Sequence, residues 1–126
     1  AVVDKEMSVI EDSFFCINRS SNGLVRNLVK NSFLGCCMAF NRKILDAALP
    51  FPEGLPMHDW WIGLISNVFG KSMLYEKKLV SYRRHGKNAS ATAEKSEFSL
   101  FHKLKMRVAI SYWLTVRFMR KLNCCK

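Results

Sequence analysis

The sequence predicts a small α/β domain: a mixed sheet of three or four strands, several short helices and a basic amphipathic helix at the C-terminal end. Three observations carry this prediction. Apolar runs of strand length alternate with segments whose apolar residues recur every three or four positions. All three prolines (50, 52 and 56) fall in one stretch with Gly54 and divide two such blocks. The bases crowd toward one end: residues 1–60 carry seven acids and six bases, residues 61–126 three acids and fourteen bases. A length of 126 residues at 49% hydrophobic content suffices for one core and excludes disordered, collagenous and low-complexity classes.

Taken in order, residues 1–10 read as a short extended segment broken by Asp4-Lys5-Glu6, and residues 11–21 as a polar turn closing on Ser20-Ser21-Asn22-Gly23. Leu24, Val25, Leu28 and Val29 have the spacing of a short helix. Phe33 to Phe40 is a continuous apolar run, the pattern of a strand buried on both faces. Asn41 is placed to cap a helix whose inward face is Ile44, Leu45 and Ala48. The proline stretch is a stiff loop, because each ring fixes φ and removes an N–H donor. Residues 59–69 then form an apolar helix ended by Gly70. Lys71 to Tyr75 and Lys78 to Arg84 read as two strands, residues 86–97 as a polar connection, and residues 98–123 as a long helix without a single acid.

That last helix carries Phe101, Leu104, Val108, Tyr112, Met119 and Leu122 as its hydrophobic positions and Lys103, Arg107, Arg117 and Lys121 on another side. Its longest uncharged run, Val108 to Val116, is too short to span a bilayer. Lying along an anionic membrane surface fits the composition, as does docking against another part of a longer protein. Nucleic acid is disfavoured: no RNP, helix-turn-helix or zinc-finger pattern accompanies the charge. The five cysteines (16, 36, 37, 124 and 125) form neither an even disulfide framework nor a CxxC pair, which points to a reducing cytoplasm and away from structural zinc.

Two clusters carry chemistry: His58-Asp59-Trp60-Trp61 at a helix start, and Tyr82-Arg83-Arg84-His85-Gly86-Lys87-Asn88 after a strand. Asp59 has two readings, an N-cap or a general base toward a substrate hydroxyl. An HD-type metallophosphohydrolase is excluded, since no His precedes position 58 and no Asp follows 59. Adjacent helical residues diverge, so Trp60 and Trp61 are expected to pack in the core, with one of them alternatively forming a flat wall for a sugar ring. In the second cluster Arg83 and His85 share one strand face. They read either as a solvated edge or as a clamp for a diphosphate, with His85 an anion donor or metal ligand.

In this order the motifs Gly35-Cys36-Cys37-Met38-Ala39-Phe40-Asn41, Pro50-Phe51-Pro52, His58-Asp59-Trp60-Trp61-Ile62, Gly70 and Tyr82-Arg83-Arg84-His85-Gly86-Lys87-Asn88 resemble the C-terminal half of family 2 glycosyltransferases, nearest to the bacterial rhamnosyltransferase-like branch. The likeness covers roughly residues 1–90. It implies part of a GT-A fold, with residues 1–97 the acceptor-side half and 98–126 the appended basic helix. By resemblance, Asp59 is the catalytic base, and His85, beside Arg83, approaches the donor diphosphate or metal. Gly35, Cys36, His58, Trp60 and Trp61 would line the acceptor side. The implied reaction is inverting transfer of a hexosyl or deoxyhexosyl group from a nucleotide-sugar donor to a glycan or lipid-linked acceptor, as in polysaccharide synthesis. A divalent metal, Mg or Mn, would serve the complete enzyme at the inner membrane face. Arg84 departs from the Gln frequent in that branch, and no DxD motif occurs. The expectation is therefore a fragment that holds no cofactor and does not turn over by itself. The competing class is a non-enzymatic basic module for nucleic acid or membrane.

Overall fold

The computed structural model describes residues 1–85 and 99–124 and is a mixed α/β arrangement with a small three-stranded sheet. The strands are β1 (Val2–Val3), β2 (Val9–Glu11) and β3 (Tyr82–Arg83), in the order β2-β1-β3. β1 runs antiparallel to β2 and parallel to β3. The central strand buries both valines, as a strand with partners on each edge should. The β1–β2 connection turns on Asp4, whose carboxylate accepts the Ser8 N–H at 2.8 Å, and on Met7 in the left-handed region (φ 69°). The extended segment expected over residues 1–10 is thus a hairpin.

Four helices precede the gap: α1 (Phe14–Asn18), α2 (Leu24–Val29), α3 (Arg42–Ala48) and α4 (His58–Phe69). α5 (Leu100–Cys124) follows it. α1 was not expected. It is a little over one turn and stops where Arg19 swings to φ 50°. Asn41 caps α3 as its position predicts, its side chain accepting the Ile44 N–H at 3.1 Å. α4 also forms as predicted and ends at Gly70.

Two strand assignments are corrected. Residues 33–40 form no strand; they hold a single 3-10 turn, Gly35–Cys37, and expose Cys36, Cys37 and Phe40. The local reason is Asn31, whose side chain takes both main-chain groups of Phe33: Oδ1 accepts its N–H at 2.9 Å and Nδ2 donates to its carbonyl at 3.1 Å. A ladder has nothing left to pair with at that residue. Residues 71–75 likewise pair with no strand, and of 78–84 only Tyr82 and Arg83 do. β1 is two residues long with β2 on its other edge, so it offers a partner to two residues and no more.

The core gathers around α4, which contributes Trp60, Trp61, Ile62, Leu64 and Ile65 and packs on α2, α3 and α5. Trp60 Nε1 donates to the Asn27 carbonyl at 2.6 Å and Trp61 Nε1 to the Ala48 carbonyl at 2.9 Å. Asn27, itself fully buried, donates through Nδ2 to Ser21 and Gly23 carbonyls and accepts the Ser32 N–H, so every polar end of its amide is used.

α5 keeps the apolar stripe read from its sequence on its outer side. Its core residues are Ile110 and Leu114, helped by Met106 and Trp113. Phe101, Leu104, Val108, Tyr112, Met119 and Leu122 are all more than half exposed. The reason lies in the arginines. The Arg117 guanidinium donates to the carbonyls of Leu49 (2.7 Å) and Pro50 (2.6 Å) just past α3, and lies 5.9 Å from the centre of the Trp61 ring. Arg107 donates to the carbonyl of Val29, the last residue of α2. Lys121 sits 4.4 Å above the Phe69 ring. Helix C-terminal carbonyls lack intrahelical donors and carry partial negative charge, so cations bind them well. Burial, and next the charge of Arg120, pull the Arg117 guanidinium below its ordinary range. Among the described residues no helix is long and apolar enough to cross a membrane.

Gly63 leaves no room for a side chain, since an added Cβ would overlap the Phe33 ring. Gly63→Ala gains about 1 kcal/mol of helix propensity but forces overpacking worth roughly 1–3 kcal/mol or more. The expected result is a net loss of stability, read as a lower urea midpoint. Arg117→Lys keeps the charge and loses the two-carbonyl fork, so it is expected to destabilise by about 1–2 kcal/mol in the same measurement.

Candidate active site

The sequence-predicted residues fall into three groups. The first is assembled where the 3-10 turn meets the start of α4. Asp59 is the second residue of α4, and the N-cap position belongs to Met57, so the N-cap reading of Asp59 does not hold. The carboxylate is partly exposed and is gripped by two main-chain donors: Gly35 N–H reaches Oδ2 at 3.1 Å and Trp60 N–H reaches Oδ1 at 2.7 Å. Both are backbone groups without rotamers, so the carboxylate is held in one orientation while each oxygen keeps accepting capacity. His58 is exposed beside it. A Cβ built on Gly35 would stand 3.5 Å from Asp59 Cβ and 3.6 Å from His58 Nε2, which locates the turn against both side chains.

Cys36 and Cys37 follow directly, exposed, with their sulfurs 3.7 Å apart. Desolvation first, then the hydrogen bond and charge of Cys36, push the Cys37 thiol up to about 11. Cys36 was expected here; Cys37 was not singled out, although the adjacent pair was visible in the sequence.

The second group is Trp60 and Trp61. Both are buried, at 4% and 0% exposure, with their indole N–H groups bonded to main chain. The expectation that both pack in the core holds, and the sugar-wall role is corrected: neither ring presents a face to an acceptor. Their contribution to the site is to fix α4.

The third group, Arg83 and His85, belongs to the sheet layer and is exposed at the end of β3. Among the described residues the hydrogen bonds to the Asp59 carboxylate come from Gly35 and Trp60. Gly86, Lys87 and Asn88 of the second motif lie outside the described residues. Among the described residues no three His, Cys, Asp or Glu side chains converge as a metal would require.

No protein-family model, curated protein or solved structure matches this chain at a significant level. Chemically, the cluster of Gly35, His58 and Asp59 is a fixed, solvent-reachable carboxylate able to accept a proton from a bound hydroxyl.

The raised Cys37 thiol sets a measurable reactivity. At pH 8 its thiolate fraction is about a hundredfold below that of an ordinary thiol, partly offset by the greater nucleophilicity of a more basic sulfur. Iodoacetamide is expected to alkylate Cys37 about tenfold more slowly in the folded than in the unfolded chain, with the folded rate still climbing above pH 10. Peptide mass spectrometry across pH checks this.

Proposed function

We propose that this chain is the acceptor-side part of a GT-A-type glycosyltransferase in which Asp59 is the general base. One observation supports the reading beyond the motif resemblance: the Asp59 carboxylate is fixed at the rim of α4 by two amide donors and remains open to solvent. In the proposed reaction an acceptor hydroxyl donates to Asp59, its oxygen attacks the anomeric carbon, and the bond to the nucleoside diphosphate breaks with inversion. Asp59 takes the hydroxyl proton. Holding the base rigidly is what makes this productive, since misplacement by about an ångström can cost a hundredfold in rate. His58 and Gly35 would border the acceptor; Arg83 and His85 would serve the donor diphosphate from the sheet layer.

The proposed partners are a nucleotide-sugar donor and a glycan or lipid-linked acceptor. The location proposed for the complete enzyme is the cytoplasmic face of a membrane. α5 supports that location in an altered form. Its arginines are largely occupied by the carbonyls of α2 and α3, whereas its apolar stripe from Phe101 to Leu122 faces outward. The same occupancy weighs against a nucleic-acid module, which needs its guanidinium groups free for phosphate.

In the complete enzyme, Asp59→Asn is expected to lower the transfer rate by about 10²–10⁴ with little change in the unfolding midpoint. Equal rates for the two proteins would remove Asp59 from the mechanism. The 126-residue chain alone is expected to show neither transfer nor donor hydrolysis. Val108→Glu with Tyr112→Glu is expected to release the complete enzyme from phosphatidylglycerol-containing vesicles in a sedimentation assay.

A further inference from the structure

We propose that Cys36 and Cys37 form a dithiol site that captures trivalent arsenicals. The proposal stands on sulfur geometry and is independent of the glycosyl-transfer reading. In an extended strand, successive side chains point to opposite faces and two adjacent thiols diverge. The 3-10 turn over Gly35–Cys37 closes instead with the Cys37 N–H donating to the Leu34 carbonyl at 2.8 Å, and it brings the two sulfurs to 3.7 Å on an exposed surface.

The separation selects the ligand. A direct disulfide needs the sulfurs at about 2.05 Å, within a strained ring between neighbouring residues. Tetrahedral zinc needs about four donors, and among the described residues no third His, Cys, Asp or Glu joins the pair. Trivalent arsenic is thiophilic, bridges two sulfurs through itself and requires only those two protein ligands. The step balances without an oxidant. An organoarsenic(III) oxide, R–As=O, condenses with the two S–H groups; two As–S bonds form, the two thiol protons leave with the oxygen as water, and arsenic stays trivalent. Thiols that remain protonated, as Cys37 does, supply those protons. The turn that carries the sulfurs also carries the Gly35 N–H donated to Asp59.

The test uses phenylarsine oxide and the full chain with Cys124→Ser and Cys125→Ser, which removes the other adjacent thiol pair. Intact mass spectrometry is expected to show one adduct, equal to the reagent less one water, that persists in excess 2-mercaptoethanol and is stripped by 2,3-dimercaptopropanol. Adding Cys36→Ser or Cys37→Ser is expected to weaken capture by about 10²–10⁴, the gain a second tethered ligand confers, while Cys16→Ser leaves it unchanged. Circular dichroism identifies any variant that fails to fold. Should a folded single-serine variant retain the adduct against 2-mercaptoethanol, or should the intact pair lose it there, the dithiol site is wrong.

Discussion

Two indole N–H groups determine where everything else in this structure sits. Trp60 and Trp61 are neighbours on α4, and adjacent helical side chains diverge by about 100°. One ring therefore turns toward α2 and ends on the Asn27 carbonyl, and the other toward α3 and ends on the Ala48 carbonyl. Burying each ring is worth roughly 4–6 kcal/mol in transfer free energy, and each N–H would cost about 1–3 kcal/mol if left unmet. Helices as short as α2 and α3 do not persist alone in water. They exist because these two bonds give α4 a fixed bearing on both. Asn27 extends the same constraint to the loops on either side of α2.

The docking of α5 completes this arrangement with charge. α2 and α3 end with carbonyls that have no intrahelical donor, and Arg107 and Arg117 supply donors from outside. A guanidinium suits the task because its fork reaches two oxygens at once while its carbon lies 5.9 Å from the centre of the Trp61 ring. The consequence is a helix held by its cations and its Ile110–Leu114 seam, with the stripe from Phe101 to Leu122 turned outward.

The elements differ in how legible the sequence made them. Asn41, Gly70 and the apolar block from Trp60 to Ile65 announce α3 and α4 because caps and terminators act within one turn of chain. The strand expected at Phe33–Phe40 failed because a single side chain, Asn31, took over the backbone groups of Phe33, and the pattern of apolar residues does not register such a competitor. The apolar stripe of α5 was legible as one side of the helix, whereas its docking seam was not: periodicity reports which residues share a side, not whether carbonyls elsewhere recruit another. In the site, Asp59 was visible from its helix-start position, whereas its Gly35 partner, 24 residues distant, entered only through the motif resemblance.

The 3-10 turn then links two features that look separate in the sequence. Closing the turn orients the Gly35 N–H toward Asp59, and the same backbone path folds Cys36 back on Cys37. An extended Gly35–Cys37 would lose both at once: the amide would alternate away from α4, and the thiols would part to opposite faces. The carboxylate's second donor, Trp60 N–H, belongs to α4 itself and is untouched by such a change. Asp59 therefore has one fixed and one conditional restraint. The tryptophans set the position of the carboxylate, and the state of a three-residue turn sets how firmly its outer oxygen is held.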